Sequence, residues 1–116
     1  MNPKTRRMRV RPCVLCGYPF SDLHHVVPRA VEEFHACTFA LCPNHHRFAN
    51  LVQAWVIDGV GVGEIAAFAA NHFDEPFNTR LLPILLAVRP EGFEVDQIWE
   101  MLARLQQPVP TATKED

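Results

Sequence analysis

The chain has 116 residues, 48% of them hydrophobic and 21% charged, with a formal net charge of −2. That length suits one domain or a small module with an extension, and that composition excludes an intrinsically disordered or collagen-like chain. No apolar run reaches the roughly 18 residues that a membrane span requires, and Met1–Arg9 carries charge with no apolar core behind it, so neither a span nor a secretory signal is expected.

Four cysteines could form two disulfides in an exported chain. Without an export signal, and with histidines interleaved, metal binding is the better reading. A cytoplasmic location is expected, in the host cytoplasm if the chain is phage-encoded. The net charge hides an asymmetry. Residues 1–50 hold Lys4, Arg6, Arg7, Arg9, Arg11, Arg29 and Arg47 against Asp22, Glu32 and Glu33, a balance of about +4, whereas residues 51–116 balance at about −6. Such a split predicts one end that faces a polyanion and another that faces solvent or a partner.

In chain order, residues 1–11 read as a flexible basic arm, with Arg9 and Arg11 as candidate phosphate contacts. Cys13 to Tyr18 reads as a zinc knuckle, where Gly17 supplies the permissive backbone of the turn. Leu23 to Val27 is a predicted strand stopped by Pro28. Residues 29–36 form a connection with room for one helical turn, and Thr38 to Leu41 is a second strand. Pro43 suits the first turn of a helix because its missing N–H is not needed there. That helix runs through Val56, with Phe48, Leu51, Val52 and Trp55 as its apolar stripe, and Asp58-Gly59 ends it.

Beyond Gly63 the pattern turns helical: Glu64 to Phe73, about Arg80 to Val88, and Glu94 to Gln106. Ile98, Trp99, Leu102 and Leu105 recur at helical spacing in the last. Pro83 falls in the first turn of its helix or kinks it. Residues 108–116 read as a disordered tail. The expected organisation is α+β: a basic arm (1–11), a zinc-stabilised core (12–58), a helical extension packed on that core or on a partner (59–107), and the tail (108–116).

Chemistry concentrates in residues 13–50. Cys13-x2-Cys16 places two thiolates on one tetrahedral ion, and Cys42-x2-His45 offers the matching half. Cys37 is a rival to His45 as the fourth ligand, and the two-residue spacing favours His45. With little core before residue 50, such a zinc would contribute folding energy on the order of 10 kcal/mol. Four residues are left over: His24, His25, His46 and Asn50. His46 and Asn50 lie four apart on one helix face. His45 lies roughly 100° round from His46, so one helix can serve two sites. Adjacent strand residues such as His24 and His25 point to opposite faces, and periodicity alone leaves open how both would meet one ion.

Cys-x2-Cys, then His24-His25-x2-Pro28, then Leu41-Cys42-Pro43-x-His45-His46 resembles the zinc-finger branch of the HNH endonucleases, over about a third of the chain. The resemblance implies a ββα-metal fold, with a catalytic ion between a β-hairpin and a helix. It implies that His24, His46 and Asn50 hold a catalytic Mg2+ or Mn2+, and that His25 is the general base. It also implies hydrolysis of DNA, with double-stranded DNA as the partner. The chemistry requires a base with a pKa near 7 and a cation to take up charge on the phosphorane and leaving oxygen. Arg47 and Arg29 are candidates to hold a phosphate. The family's asparagine that orients the base falls here on Cys37, with His35 and Asn44 as other candidates for that role. This departure carries the alternative reading of a zinc-stabilised DNA-binding or adaptor module without activity. The C-terminal helices could pair with a second copy or recruit a protein partner.

Overall fold

A computed structural model describes residues 11–27, 34 and 37–106 of the chain. Arg9, Arg29, His35, the arm up to residue 10 and the tail 108–116 lie outside the described residues. Within them, two strands and four helices follow in the order β1 (Asp22–His24), β2 (Phe39–Leu41), α1 (Pro43–Ile57), α2 (Val62–His72), a π-helical turn (Phe77–Leu81) running into α3 (Leu82–Ala87), and α4 (Val95–Gln106). The fold is a small α+β structure with a two-stranded antiparallel sheet. No helix among the described residues is long and apolar enough to cross a membrane.

The knuckle is closed by its own backbone: Cys13 N–H donates to Tyr18 C=O at 2.8 Å and Gly17 N–H to Cys13 C=O at 2.9 Å. Gly17 takes φ +80°, a conformation that side-chain-bearing residues rarely adopt. Val14 N–H then donates to Ala40 C=O at 2.9 Å, tying the knuckle to β2. The hairpin pairs Asp22 with Leu41, Leu23 with Ala40 and His24 with Phe39. β1 is shorter than the predicted strand, since Val26 and Val27 leave the ladder and are buried in the core instead.

Cys42 begins α1. Its backbone is extended (φ −65°, ψ 165°), Pro43 follows in the first turn, and its Sγ accepts from His45 N–H at 3.5 Å. Gly59, at φ +82°, terminates the helix after Asp58. The buried face is His45, Ala49, Val52 and Val56. This differs from the predicted stripe by a rotation: Phe48 and Trp55 are only partly buried and Leu51 is exposed. The reason is His45, which the cysteine cluster draws inward and which therefore sets the helix azimuth.

α1 packs against α2 and α3, and α4 packs against α3 and the π turn. One buried cluster joins both halves of the chain, with Leu15, Val27, Phe34 and Leu41 from the first and Ile65, Leu81, Ile84 and Ile98 from the second. In the π turn Leu82 N–H reaches back to Phe77 C=O. Pro83, at the start of α3, explains it: in a continuous α-helix the proline ring would meet the carbonyl four residues earlier, and the wider turn relieves that. In α4 the buried residues are Ile98, Leu102 and Leu105, while Trp99 stays 44% exposed with its ring 4.7 Å from Phe34.

Candidate metal centre and the histidine pair beside it

Two ends of the first half converge on one point. The knuckle presents Cys13 and Cys16, and the first turn of α1 presents Cys42 and His45. Their donor atoms all lie within 4.8 Å of one another. The separations are 3.4 Å from Cys13 Sγ to His45 Nδ1, 3.2 Å from Cys42 Sγ to His45 Nδ1, and 3.9 Å from Cys16 Sγ to Cys42 Sγ. With Zn–S near 2.3 Å and Zn–N near 2.0–2.1 Å, a tetrahedral ion requires edges of about 3.5–3.8 Å. The cluster is compatible with a structural zinc site of Cys3His type. Cys37 is not part of it: half-buried before β2, it uses its N–H on Phe34 C=O at 2.9 Å.

Electrostatics favour a cation there. Burial pushes the Cys13 thiol up, but hydrogen bonds from His45 and from backbone amides outweigh it and bring the pKa down to about 6. Cys16, desolvated and facing the sulfurs of Cys13 and Cys42, is pushed up to about 12. His45 is drawn the other way. Burial lowers it, but Cys13, Asp74 and Cys42 together raise it to about 9. Several thiolates in one place repel, and a divalent ion among them removes that penalty and deprotonates them all.

The second half of the chain completes the centre. His45 Nε2–H donates to both carboxylate oxygens of Asp74, at 2.8 and 3.0 Å. The same carboxylate accepts from Phe77 N–H at 3.2 Å, capping the π turn. A carboxylate behind a ligating imidazole fixes its tautomer, leaving Nδ1 to face the sulfurs, and raises its basicity. The His45 ring is flanked by Phe48 and Phe77, with centroids at 5.9 and 6.2 Å. Arg80 adds a further tie, donating to Val14 C=O of the knuckle at 2.7 Å and to Leu105 C=O at 2.9 Å, where a cation also suits the C-terminus of α4.

Roughly 100° round α1 is a different site. His46 follows His45 in sequence and meets His24 of β1, ring centroids 4.7 Å apart and edge to face. Gln53 holds this pair. Its Nε2 donates to Val26 C=O at 2.9 Å and to His25 C=O at 3.4 Å, which points its Oε1 at His24 Nε2, 3.0 Å away. With the amide so oriented, hydrogen-bond matching assigns the His24 proton to Nε2 and the lone pair to Nδ1. His24 is held below its ordinary pKa of 6.5, first by burial and then by the nearby charges of His46 and His25, against the opposing effect of Gln53.

Asn50 and Arg47 are exposed on α1. Arg11 is half-buried against the knuckle, its N–H on Pro19 C=O at 2.7 Å and its guanidinium 3.4 Å from Ser21 C=O. Asn44 borders a cavity beside the cysteine cluster, with Cys16, Cys42, His45 and Asp74. The sequence reading missed three residues. Gln53 had a signal, since His46, Asn50 and Gln53 follow the i, i+4, i+7 pattern of one helix face. Asp74 and Arg80 had none, because each acts across a tertiary contact. No protein-family model, curated protein or solved structure matches the chain.

Proposed function

We propose that the protein is a metal-dependent endonuclease of HNH type that hydrolyses phosphodiester bonds of DNA, built on a ββα-metal core whose Cys13, Cys16, Cys42 and His45 bind a structural zinc. The observation that carries this reading is the His24–His46 pair, facing across β1 and α1 at 4.7 Å and braced by Gln53. Two adjacent histidines on one helix thus divide their work: His45 serves the fold and His46 the reaction.

His24 Nδ1, His46 and the Asn50 amide would hold the second divalent ion. That donor set fits a first-row transition ion better than Mg2+, which prefers oxygen, so Mn2+, Co2+ or Ni2+ is expected to be held more tightly. The ion, when bound, supplies positive charge to the phosphorane and to the leaving 3′ oxygen. His25, next in the chain, takes the proton from the attacking water. Gln53 is the positioning residue for both members of the doublet, through the His24 ring and the His25 carbonyl. It supplies the amide that the HNH pattern lacks at Cys37. Arg47, one residue past His46, contacts the phosphate backbone.

A zinc-stabilised DNA-binding module without activity is the second reading, favoured by Cys37 at the asparagine position. Plasmid nicking by zinc-loaded protein in Mn2+ or Mg2+ separates the two. The nuclease reading expects nicking that falls by about 10²–10⁴-fold in His25→Ala. Absence of nicking under every divalent ion, or equal nicking by His25→Ala, refutes it.

A further inference from the structure

The end of the knuckle and the residues just after it place two aromatic rings in solvent, and neither ring takes part in either cluster. Tyr18 is 49% and Phe20 54% exposed, and their rings meet edge to face with centroids 6.1 Å apart. Large aromatic side chains normally bury their area, and a pair held at the surface marks a contact for something planar or apolar.

Two observations select the occupant. The first is charge. Residues 1–21 contain Lys4, Arg6, Arg7, Arg9 and Arg11 and no acidic residue. Arg11 is bonded through its backbone N–H to the carbonyl of Pro19, the residue between Tyr18 and Phe20 in sequence, and its guanidinium reaches Ser21 C=O at 3.4 Å. An aromatic pair that follows five basic residues in sequence, with Arg11 bonded beside it, matches a strand that is anionic along its backbone and aromatic at its bases. The second is position. Phe20 lies four residues before His24, and four residues span at most about 14 Å, a few nucleotide steps at most.

We infer that Tyr18 and Phe20 form a stacking platform for unpaired bases of a single-stranded DNA segment beside the bond to be cut. The proposal rests on the nucleic-acid part of the function above. It deepens that reading by directing the protein to DNA with an exposed single strand, such as a flap, a gap or a junction, rather than to uninterrupted duplex. Each base offers a π-face, so the platform selects for strandedness and not for sequence.

The test is equilibrium binding of the full-length, zinc-loaded protein to a fluorescent oligothymidine and to a duplex of equal length, without Mg2+ or Mn2+ so that no cleavage occurs. The parent is expected to prefer the single strand. Tyr18→Ala and Phe20→Ala are each expected to lose about tenfold in affinity for it, with the slope of affinity against salt unchanged because no phosphate contact is removed. Tyr18→Phe is expected to keep the parent affinity. Zinc content and far-UV circular dichroism show that each variant is folded, and Tyr18 serves the knuckle through its backbone, its carbonyl accepting from Cys13 N–H and its own N–H bonding Cys16. Equal affinity of parent and alanine variants for the single strand overturns the proposal. So does an equal loss on duplex and single strand, which would mean a wedge into paired DNA. Aromatic-dependent single-strand binding in a protein that never nicks supports the platform while refuting the nuclease, so the two claims fail separately.

Discussion

Replacing Asp74 with asparagine tests whether the helical half of the chain tunes the zinc centre. The carboxylate accepts from His45 Nε2–H at 2.8 and 3.0 Å while His45 Nδ1 faces the sulfurs of Cys13 and Cys42. Asparagine keeps the size, can still accept one hydrogen bond from His45 and still caps Phe77 N–H, but it removes the negative charge. Loss of a carboxylate behind a ligating histidine costs typically about 10–100-fold in metal affinity. Asp74 is 50% exposed, and solvent screening places the effect at the lower end, near tenfold or about 1.4 kcal/mol. Competition against a chromophoric chelator measures the zinc affinity of each protein. Asp74→Asn should bind about tenfold more weakly with little change in helix content, and Asp74→Ala should add a lower melting temperature from the lost cap. An unchanged zinc affinity in Asp74→Asn refutes the reasoning, because the contact would then be a surface ion pair with no influence on the metal.

Three further outcomes follow from the same geometry. Stripping the zinc with a strong chelator should abolish most of the helical circular dichroism, since an ion that contributes on the order of 10 kcal/mol rivals the whole stability of a domain this size; an unchanged melting curve would contradict it. Arg80→Ala removes bonds to Val14 C=O at 2.7 Å and Leu105 C=O at 2.9 Å; a loss of about 2 kcal/mol is expected in chemical denaturation, and a change within error would mean that the knuckle does not depend on the tie. In an NMR titration His24 should show a midpoint below 6.5, moving upward in His46→Ala. Its folded pKa is the depressed one, so its contribution to stability is present above 6.5 and is lost as pH falls through the lower folded value. A midpoint at or above 6.5 would contradict the buried, paired environment.

The residues that were legible from the sequence are those whose partners are local or rigidly spaced. Cys13-x2-Cys16 and Cys42-x2-His45 each preset one edge of a tetrahedron, so their meeting required only that the hairpin bring two turns together. Gly17, Pro43 and Gly59 announced a turn, a helix start and a helix stop through backbone preferences that act residue by residue. The apolar stripe of α1 was misread for a physical reason: His45, a polar residue on any hydropathy scale, is buried because the cysteine cluster draws it in, and it rotates the helix so that Leu51 faces solvent. Pattern reading scores Leu51 as core and His45 as surface. Asp74 and Arg80 were illegible because they lie 29 and 66 residues from His45 and Val14, and only the packed helices bring them there. The π turn was half legible. Pro83 signalled a disturbance, but whether it would start a helix, kink it or widen the turn before it depended on the packing of Phe77 and Leu81.

The central claim, that one helix serves two metal centres through His45 and His46, is tested most directly by crystals of the zinc-bound protein soaked in Mn2+. Anomalous maps collected on either side of the zinc edge and near the manganese edge distinguish the two ions. The account predicts zinc among Cys13, Cys16, Cys42 and His45, and a separate manganese peak between His24 and His46. A single peak at the cysteine cluster, with the His24–His46 pair empty at saturating Mn2+, would contradict it.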